Sequence, residues 1–90
     1  MKHASHPEII ARLKRAEGHL RSIIGMFEEG RSCVQLAQQL QAVENAIGSA
    51  KRELIHDHIE HCLDDSAVNG SGDPRSAIKE LKLLTKYLER

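Results

Sequence analysis

The chain has no tryptophan, one tyrosine (Tyr87) and one phenylalanine (Phe27) in 90 residues. Nucleic-acid modules that stack bases on aromatic platforms are excluded by that scarcity. No apolar run approaches the roughly 20 residues that a membrane span requires, so no membrane partner is expected. No stretch alternates apolar and polar residues with period two, which removes the signature of a sheet. Prolines stand only at positions 7 and 74, leaving a long interior with no helix breaker of that kind. Two cysteines are too few for a disulfide scaffold. The N-terminal Met-Lys-His-Ala-Ser-His-Pro leads into an amphipathic pattern without a secretory signal. A cytoplasmic chain is expected, in which thiols bind metal or react.

Hydrophobic residues make up 40% and charged residues 29%, an ordinary balance for one small globular domain spanning 1–90. Thirteen basic residues offset thirteen acidic ones, so total charge selects no partner. Their distribution is uneven. From Met1 to Ser22 the basic residues are Lys2, Arg12, Lys14, Arg15 and Arg21, against Glu8 and Glu17. From Glu53 to Asp65 there are Glu53, Asp57, Glu60, Asp64 and Asp65, three histidines, and no lysine or arginine. One segment is locally positive and another acidic and histidine-rich, although solvated helix faces would look the same.

Ser5-His6-Pro7-Glu8 reads as a capping box. Ile9, Leu13, Ala16, Leu20, Ile23 or Ile24, and Phe27 then recur at helical spacing, predicting a helix over about 6–29 that Gly30 stops. A second box, Ser32-Cys33-Val34-Gln35, opens a helix expected over about 33–63. Its apolar seam is Leu36, Leu40, Val43, Ile47, Ala50 and Leu54, at alternating steps of four and three. After Asn69-Gly70-Ser71-Gly72, Asp73-Pro74 caps a third helix expected over about 74–88, with Ile78, Leu81, Leu84 and Leu88 inward. The fold class is all-α: two long antiparallel helices plus a short third.

A second helix of about 30 residues would be roughly 45 Å long. A chain this small has difficulty burying such a rod alone. The seam therefore suits a second copy, and an antiparallel dimer is the simplest closed arrangement; a monomeric three-helix bundle is the alternative.

Both cysteines lie along that seam. His58 and Cys62 stand at i and i+4, on one helix face, where they can share a metal ion. Cys33 precedes His58 by 25 residues, about 38 Å on a continuous helix, so the three cannot meet within one chain. In an antiparallel dimer the start of one long helix lies beside the end of the other. Cys33 of one subunit would then join His58 and Cys62 of its mate. A lone cysteine or histidine is more often packing or surface; three at matching ends of one seam form a candidate ligand set. His61, His3 and His6 are possible accessory ligands. Two thiolates and an imidazole suit Cu(I), and an added histidine would suit Zn(II) or Ni(II).

The pattern Arg-Leu-Lys-Arg-Ala-Glu-Gly-His-Leu at 12–20, Cys33, Gln39-Leu-Gln-Ala-Val at 39–43 and His-Asp-His-Ile-Glu-His-Cys at 56–62 resembles the copper-sensing operon repressor (CsoR) family. That family includes nickel/cobalt-responsive and formaldehyde-responsive relatives. The resemblance spans nearly the whole chain, and Cys-x24-His-x3-Cys is its most specific part. It implies an all-helical homodimer that pairs into a homotetramer, binds operator double-stranded DNA without a helix-turn-helix, and releases it on binding inducer. It also implies Cys33, His58 and Cys62 as Cu(I) ligands and Glu80 as an acidic residue beside them. Ser32 stands where copper-sensing members often carry tyrosine. Nickel- or cobalt-sensing members place a histidine about two residues earlier, relative to Gly18, than His3. Persulfide-sensing members lack the histidine and formaldehyde sensors the second cysteine, whereas this chain has both.

Arg12, Lys14, Arg15 and Arg21, with Lys51 and Arg52, are the candidate phosphate-binding residues. Alone they read as ordinary exposed cations; the resemblance makes them a DNA face, Arg12 and Arg15 first. The expected function is a non-enzymatic, Cu(I)-responsive repressor. The alternatives are a Ni(II)-responsive repressor with an added N-terminal histidine, or a thiol-reactive persulfide or aldehyde sensor.

Overall fold

The computed structural model describes residues 6–69 and 74–88, with side chains described over 6–61 and 75–88. Among these residues there are three helices and no strand: α1 (His6–Glu28), α2 (Cys33–Asn69) and α3 (Pro74–Thr85). The proposed caps Ser5 and Asp73 lie outside the described residues. α2 runs to Asn69, six residues past its expected end near 63; no proline falls within that span. α3 ends at Thr85, short of the expected 88. There the Thr85 hydroxyl donates to the Lys82 carbonyl at 2.8 Å. The Tyr87 and Leu88 amides turn back to the carbonyls of Leu84 and Thr85 at 3.0 and 3.2 Å, tightening the last turn.

The link between α1 and α2 is four residues long and fully accounted for by local chemistry. Gly30 has φ of +75°, the left-handed conformation that an L side chain resists. Its amide donates to the Phe27 carbonyl at 3.1 Å and the Arg31 amide to the Met26 carbonyl at 3.1 Å. These two bonds close a Schellman motif on the end of α1. Ser32 then starts α2 as a reciprocal box. The Gln35 amide donates to Ser32 Oγ at 3.2 Å, and the Ser32 amide to Gln35 Oε1 at 3.4 Å. The Ser32 carbonyl accepts the first helical bond, from the Leu36 amide, at 3.0 Å.

The chain divides into two compact units, Pro7–Ala50 and the part from Lys51 onward with His6. In the first, α1 and the start of α2 form an antiparallel hairpin. Its core is Ile9, Ala16 and Ile23 on α1 with Leu36, Val43 and Ala50 on α2, every one buried. Both rows step by seven. The short link sets Ile23 level with Leu36, Ala16 with Val43 and Ile9 with Ala50, so the core is three layers of one side chain from each helix. Burying an isoleucine, leucine or valine contributes about 1.5–3 kcal/mol, and the alanines let the helices approach. Alternate members of the seam, Leu40, Ile47 and Leu54, stay 40–44% exposed, as do Leu13 and Leu20 on α1, with Phe27 at 55%. The sequence pattern treats Ile23 and Ile24 as equivalent, but packing separates them: Ile23 is 2% exposed and Ile24 60%.

In the second unit Ile55 is buried. Leu81, Leu84 and Leu88 are half-buried, as an inward stripe requires, but Ile78 is exposed. It borders a shallow hollow with Arg75, Lys79 and Lys82 instead of joining a core.

The hairpin link yields a direct stability test. Gly30→Ala forces a left-handed alanine and should cost about 1–2 kcal/mol, and Ser32→Ala, which removes the cap, about 1 kcal/mol. Urea unfolding followed by circular dichroism measures both; unchanged midpoints would mean that this link does not set the hairpin register.

Candidate metal and nucleic-acid sites

Cys33 is the first residue of α2, held there by the Ser32 cap, and its thiol is exposed. His58 lies 25 residues further along the same helix and is half-buried. Its Nε2 stands 3.1 Å from Glu80 Oε1 on α3, a close charge contact rather than an aligned hydrogen bond. With Nε2 beside the carboxylate, Nδ1 is the ring nitrogen left for a metal. Nothing in the sequence by itself places Glu80 there; the contact requires α3 to return alongside α2. Cys62 lies one turn beyond His58 on α2, and its side chain is outside the described ones.

The accessory candidates separate. His61 Nε2 approaches Asp57 Oδ1 at 3.3 Å across one turn of α2, so a carboxylate stands beside it. His6 opens α1 and is half-buried, with Nε2 inaccessible. His3 is outside the described residues. Among the described residues no three His, Cys, Asp or Glu side chains of the single chain gather into a set able to hold a metal ion. The donors fit a thiophilic ion in kind, sulfur with imidazole nitrogen.

The basic candidates also differ from one another. Arg12 reaches Glu8 at 3.6 Å and Arg21 reaches Glu17 at 3.9 Å, both one turn apart on α1. Arg15 and Lys14 are exposed, and among the described residues no carboxylate lies within ion-pair distance of either. Lys14 borders a shallow hollow with Ile10, Leu13 and Glu17. Lys51 and Arg52 are exposed in the second unit. Within the hairpin, Arg12 and Arg15 come together along one groove of about 380 Å³, lined also by Ala16, His19, Ala46 and Ser49. The sequence reading names the two arginines and leaves His19 to packing or proximity to DNA. The ring is held in place: His19 Nε2 lies 2.6 Å from Gln39 Oε1 across the hairpin. Only the hairpin register could disclose that Gln39, twenty residues away, is its partner.

Three helices and a basic groove define a class that comparison with known proteins makes specific. The chain belongs to the metal-sensitive transcriptional repressor family, whose model matches residues 5–89. It is 41% identical over 76 residues to the copper-sensing transcriptional repressor CsoR of Mycobacterium ulcerans (strain Agy99), covering 84% of this chain and 63% of that protein. To the copper-sensing transcriptional repressor CsoR of Bacillus subtilis (strain 168) it is 40% identical over 74 residues, covering 82% of this chain and 71% of that protein. The chain thus spans about two thirds of the length of these relatives. The solved structure of the nickel-responsive transcriptional regulator InrS superposes with a TM-score of 0.82 at 28% identity, covering 98% of this chain and 97% of that one. The expected all-α, three-helix architecture is therefore that of the family. No helix among the described residues is long and apolar enough to cross a membrane.

Proposed function

We propose that this protein is a Cu(I)-responsive repressor that binds operator DNA without metal and releases it when Cu(I) occupies a site shared between two chains. The supporting observation is a divided donor set in a chain of the metal-sensitive repressor family. One exposed thiol, Cys33, opens α2, and a histidine engaged through Nε2 by Glu80 lies far along the same helix. Cys62, one turn on, supplies the second sulfur. An antiparallel partner brings Cys33 to His58 and Cys62, and each dimer then holds two such sites. Two soft thiolates and one imidazole match Cu(I), which takes few ligands and prefers sulfur.

The surface for that partner is the second apolar row. Leu40, Ile47 and Leu54 on α2, with Leu13, Leu20 and Phe27 on α1, are exposed in the single chain. A second copy covers them with its own matching row, as a two-fold interface requires. Two such dimers pair as a tetramer and repeat the basic groove, so each copy adds phosphate contacts and counterion release. Such a repressor is no enzyme: the thiol and imidazole serve as ligands.

Coupling follows from linkage. An inducer shifts the DNA equilibrium only as far as it binds the released form more tightly than the bound form. Glu80 supplies the physical connection within the second unit, since the ring that would hold metal through Nδ1 is already tied through Nε2 to α3. Any rotation of His58 toward an ion is felt by that helix.

A Ni(II) response is the second reading, favoured by the similarity to InrS. It requires a fourth ligand, a second nitrogen, for which His6 or His3 at the start of the chain is the source.

Anaerobic titration of an operator complex with Cu(I), Ni(II) and Zn(II), read by fluorescence anisotropy, separates these readings. Cu(I) is expected to release DNA, and His58→Ala to lower Cu(I) affinity by at least tenfold. Release by Ni(II) alone would replace the copper reading with the nickel one. A full response retained in His58→Ala would indicate thiol chemistry rather than metal binding. On the DNA side, Arg15→Glu should weaken binding and reduce the salt slope by about one per engaged copy, whereas Arg21→Glu, already tied to Glu17, should do less. Equal effects of the two would remove Arg15 from the interface.

A further inference from the structure

The α1–α2 groove holds more than two arginines. Its lining combines Arg12 and Arg15 with His19 and the Ser49 hydroxyl, around the small side chains Ala16 and Ala46. His19 is half-buried and its Nε2 is spent on Gln39 Oε1 at 2.6 Å. With a carbonyl oxygen as acceptor, Nε2 carries the proton. Nδ1 is then the nitrogen that gains one on acidification. Within the hairpin, the charged groups nearest the ring come from both helices. From α1 they are Arg12, itself in contact with Glu8, and Arg15. From the part of α2 within the hairpin, Glu44 is the sole charged residue, and it is exposed and outside the groove lining. The groove is lined by two arginines, a serine and a histidine ring, and by no carboxylate among its lining residues.

We propose that this groove is a seat for a phosphoryl oxyanion, supplied by the DNA backbone, in which His19 is a pH-dependent ligand positioned by Gln39. The proposal rests on the DNA-binding reading above and adds its regulation. Neutral His19 offers the groove a lone pair, which repels phosphate oxygen. Protonated His19 offers an N–H and a positive charge, which attract it. The sign follows directly: a phosphate that prefers the protonated ring raises its proton affinity, so binding takes up protons and tightens as pH falls. One additional phosphate contact steepens the salt slope by about 0.9, equivalent to roughly threefold in affinity for a fourfold change in salt. The hollow beside α3, lined by Arg75, Ile78, Lys79 and Lys82, has cations as well but no histidine, so it provides no such proton linkage.

The experiment uses the full chain and two probes. An operator duplex is titrated by anisotropy at pH 5.8 and 7.8 in wild type, His19→Gln, His19→Arg and Gln39→Ala. Inorganic pyrophosphate is titrated while the His19 ring signals are followed by NMR. Wild type should bind the duplex at least threefold more tightly at the lower pH, beyond whatever pH response His19→Gln retains. His19→Arg should keep the affinity and lose that pH dependence, which a merely structural histidine would not do. Gln39→Ala should lower the affinity at pH 5.8. Identical pH profiles in wild type and His19→Gln would overturn the proposal. So would a pyrophosphate shift at His19 with no effect of its replacement on duplex binding, because the seat would then serve free anions. If no duplex binds at all, the repressor reading fails separately. Pyrophosphate shifting His19 would then mark a seat for free anions rather than for the DNA backbone and would overturn the proposal, as would an unmoved ring.

Discussion

The rest of the structure depends on one packing constraint. α2 carries apolar residues at alternating steps of four and three, which makes two adjacent rows, and α1 can cover only one of them. Leu36, Val43 and Ala50 are buried against Ile9, Ala16 and Ile23, while Leu40, Ile47 and Leu54 remain exposed. The choice between rows is made by the four-residue link, since the Schellman bonds at Gly30 and the Ser32 box leave one register for the return helix. That register places His19 opposite Gln39 and gathers Arg12 and Arg15 along one groove. It also leaves a straight apolar strip along the hairpin, the feature that a self-complementary dimer requires.

Much of this was legible beforehand because it is local. The capping box at Ser32, the glycine stop at Gly30 and the three-four periodicity of α1 and α2 depend on residues within one or two turns of each other. The extent of α2 was less legible, because the apolar seam ends at Leu54 and His58 and Cys62 extend the pattern only to about 63, whereas the helical backbone continues to Asn69. The division of the seam into a buried and an exposed row was hidden, since leucine and isoleucine at both rows obey the same period. Ile78 was assigned inward on the same ground and lies outward, in a ring of Arg75, Lys79 and Lys82.

The candidate sites divide along the same line. Spacing identified His58, Cys62 and Cys33 as a donor set and showed that one helix cannot bring them together. Resemblance alone suggested Glu80, and its 3.1 Å approach to His58 depends on α3 returning to α2, which no local pattern specifies. Counting charge identified six cations, and the resemblance put Arg12 and Arg15 first without separating the two. The ranking comes from their neighbours: Arg12 and Arg21 share carboxylates one turn away, whereas Arg15 does not. The role of His19 was left open between packing and proximity to DNA, because its partner Gln39 lies on the other helix. In each case chemistry was written in the residues and selectivity in the packing.

The shared metal site is the claim on which the functional account stands, and subunit mixing tests it most directly. Chains carrying Cys33→Ser and chains carrying His58→Ala are each prepared, mixed under conditions that exchange subunits, and titrated anaerobically with Cu(I). Neither variant alone should retain a high-affinity site. In a mixed dimer one site collects both lesions and the other collects none, so the account predicts recovery of one high-affinity Cu(I) equivalent per mixed dimer. Mixed dimers that form and yet recover no site would contradict it, because every ligand would then come from a single chain.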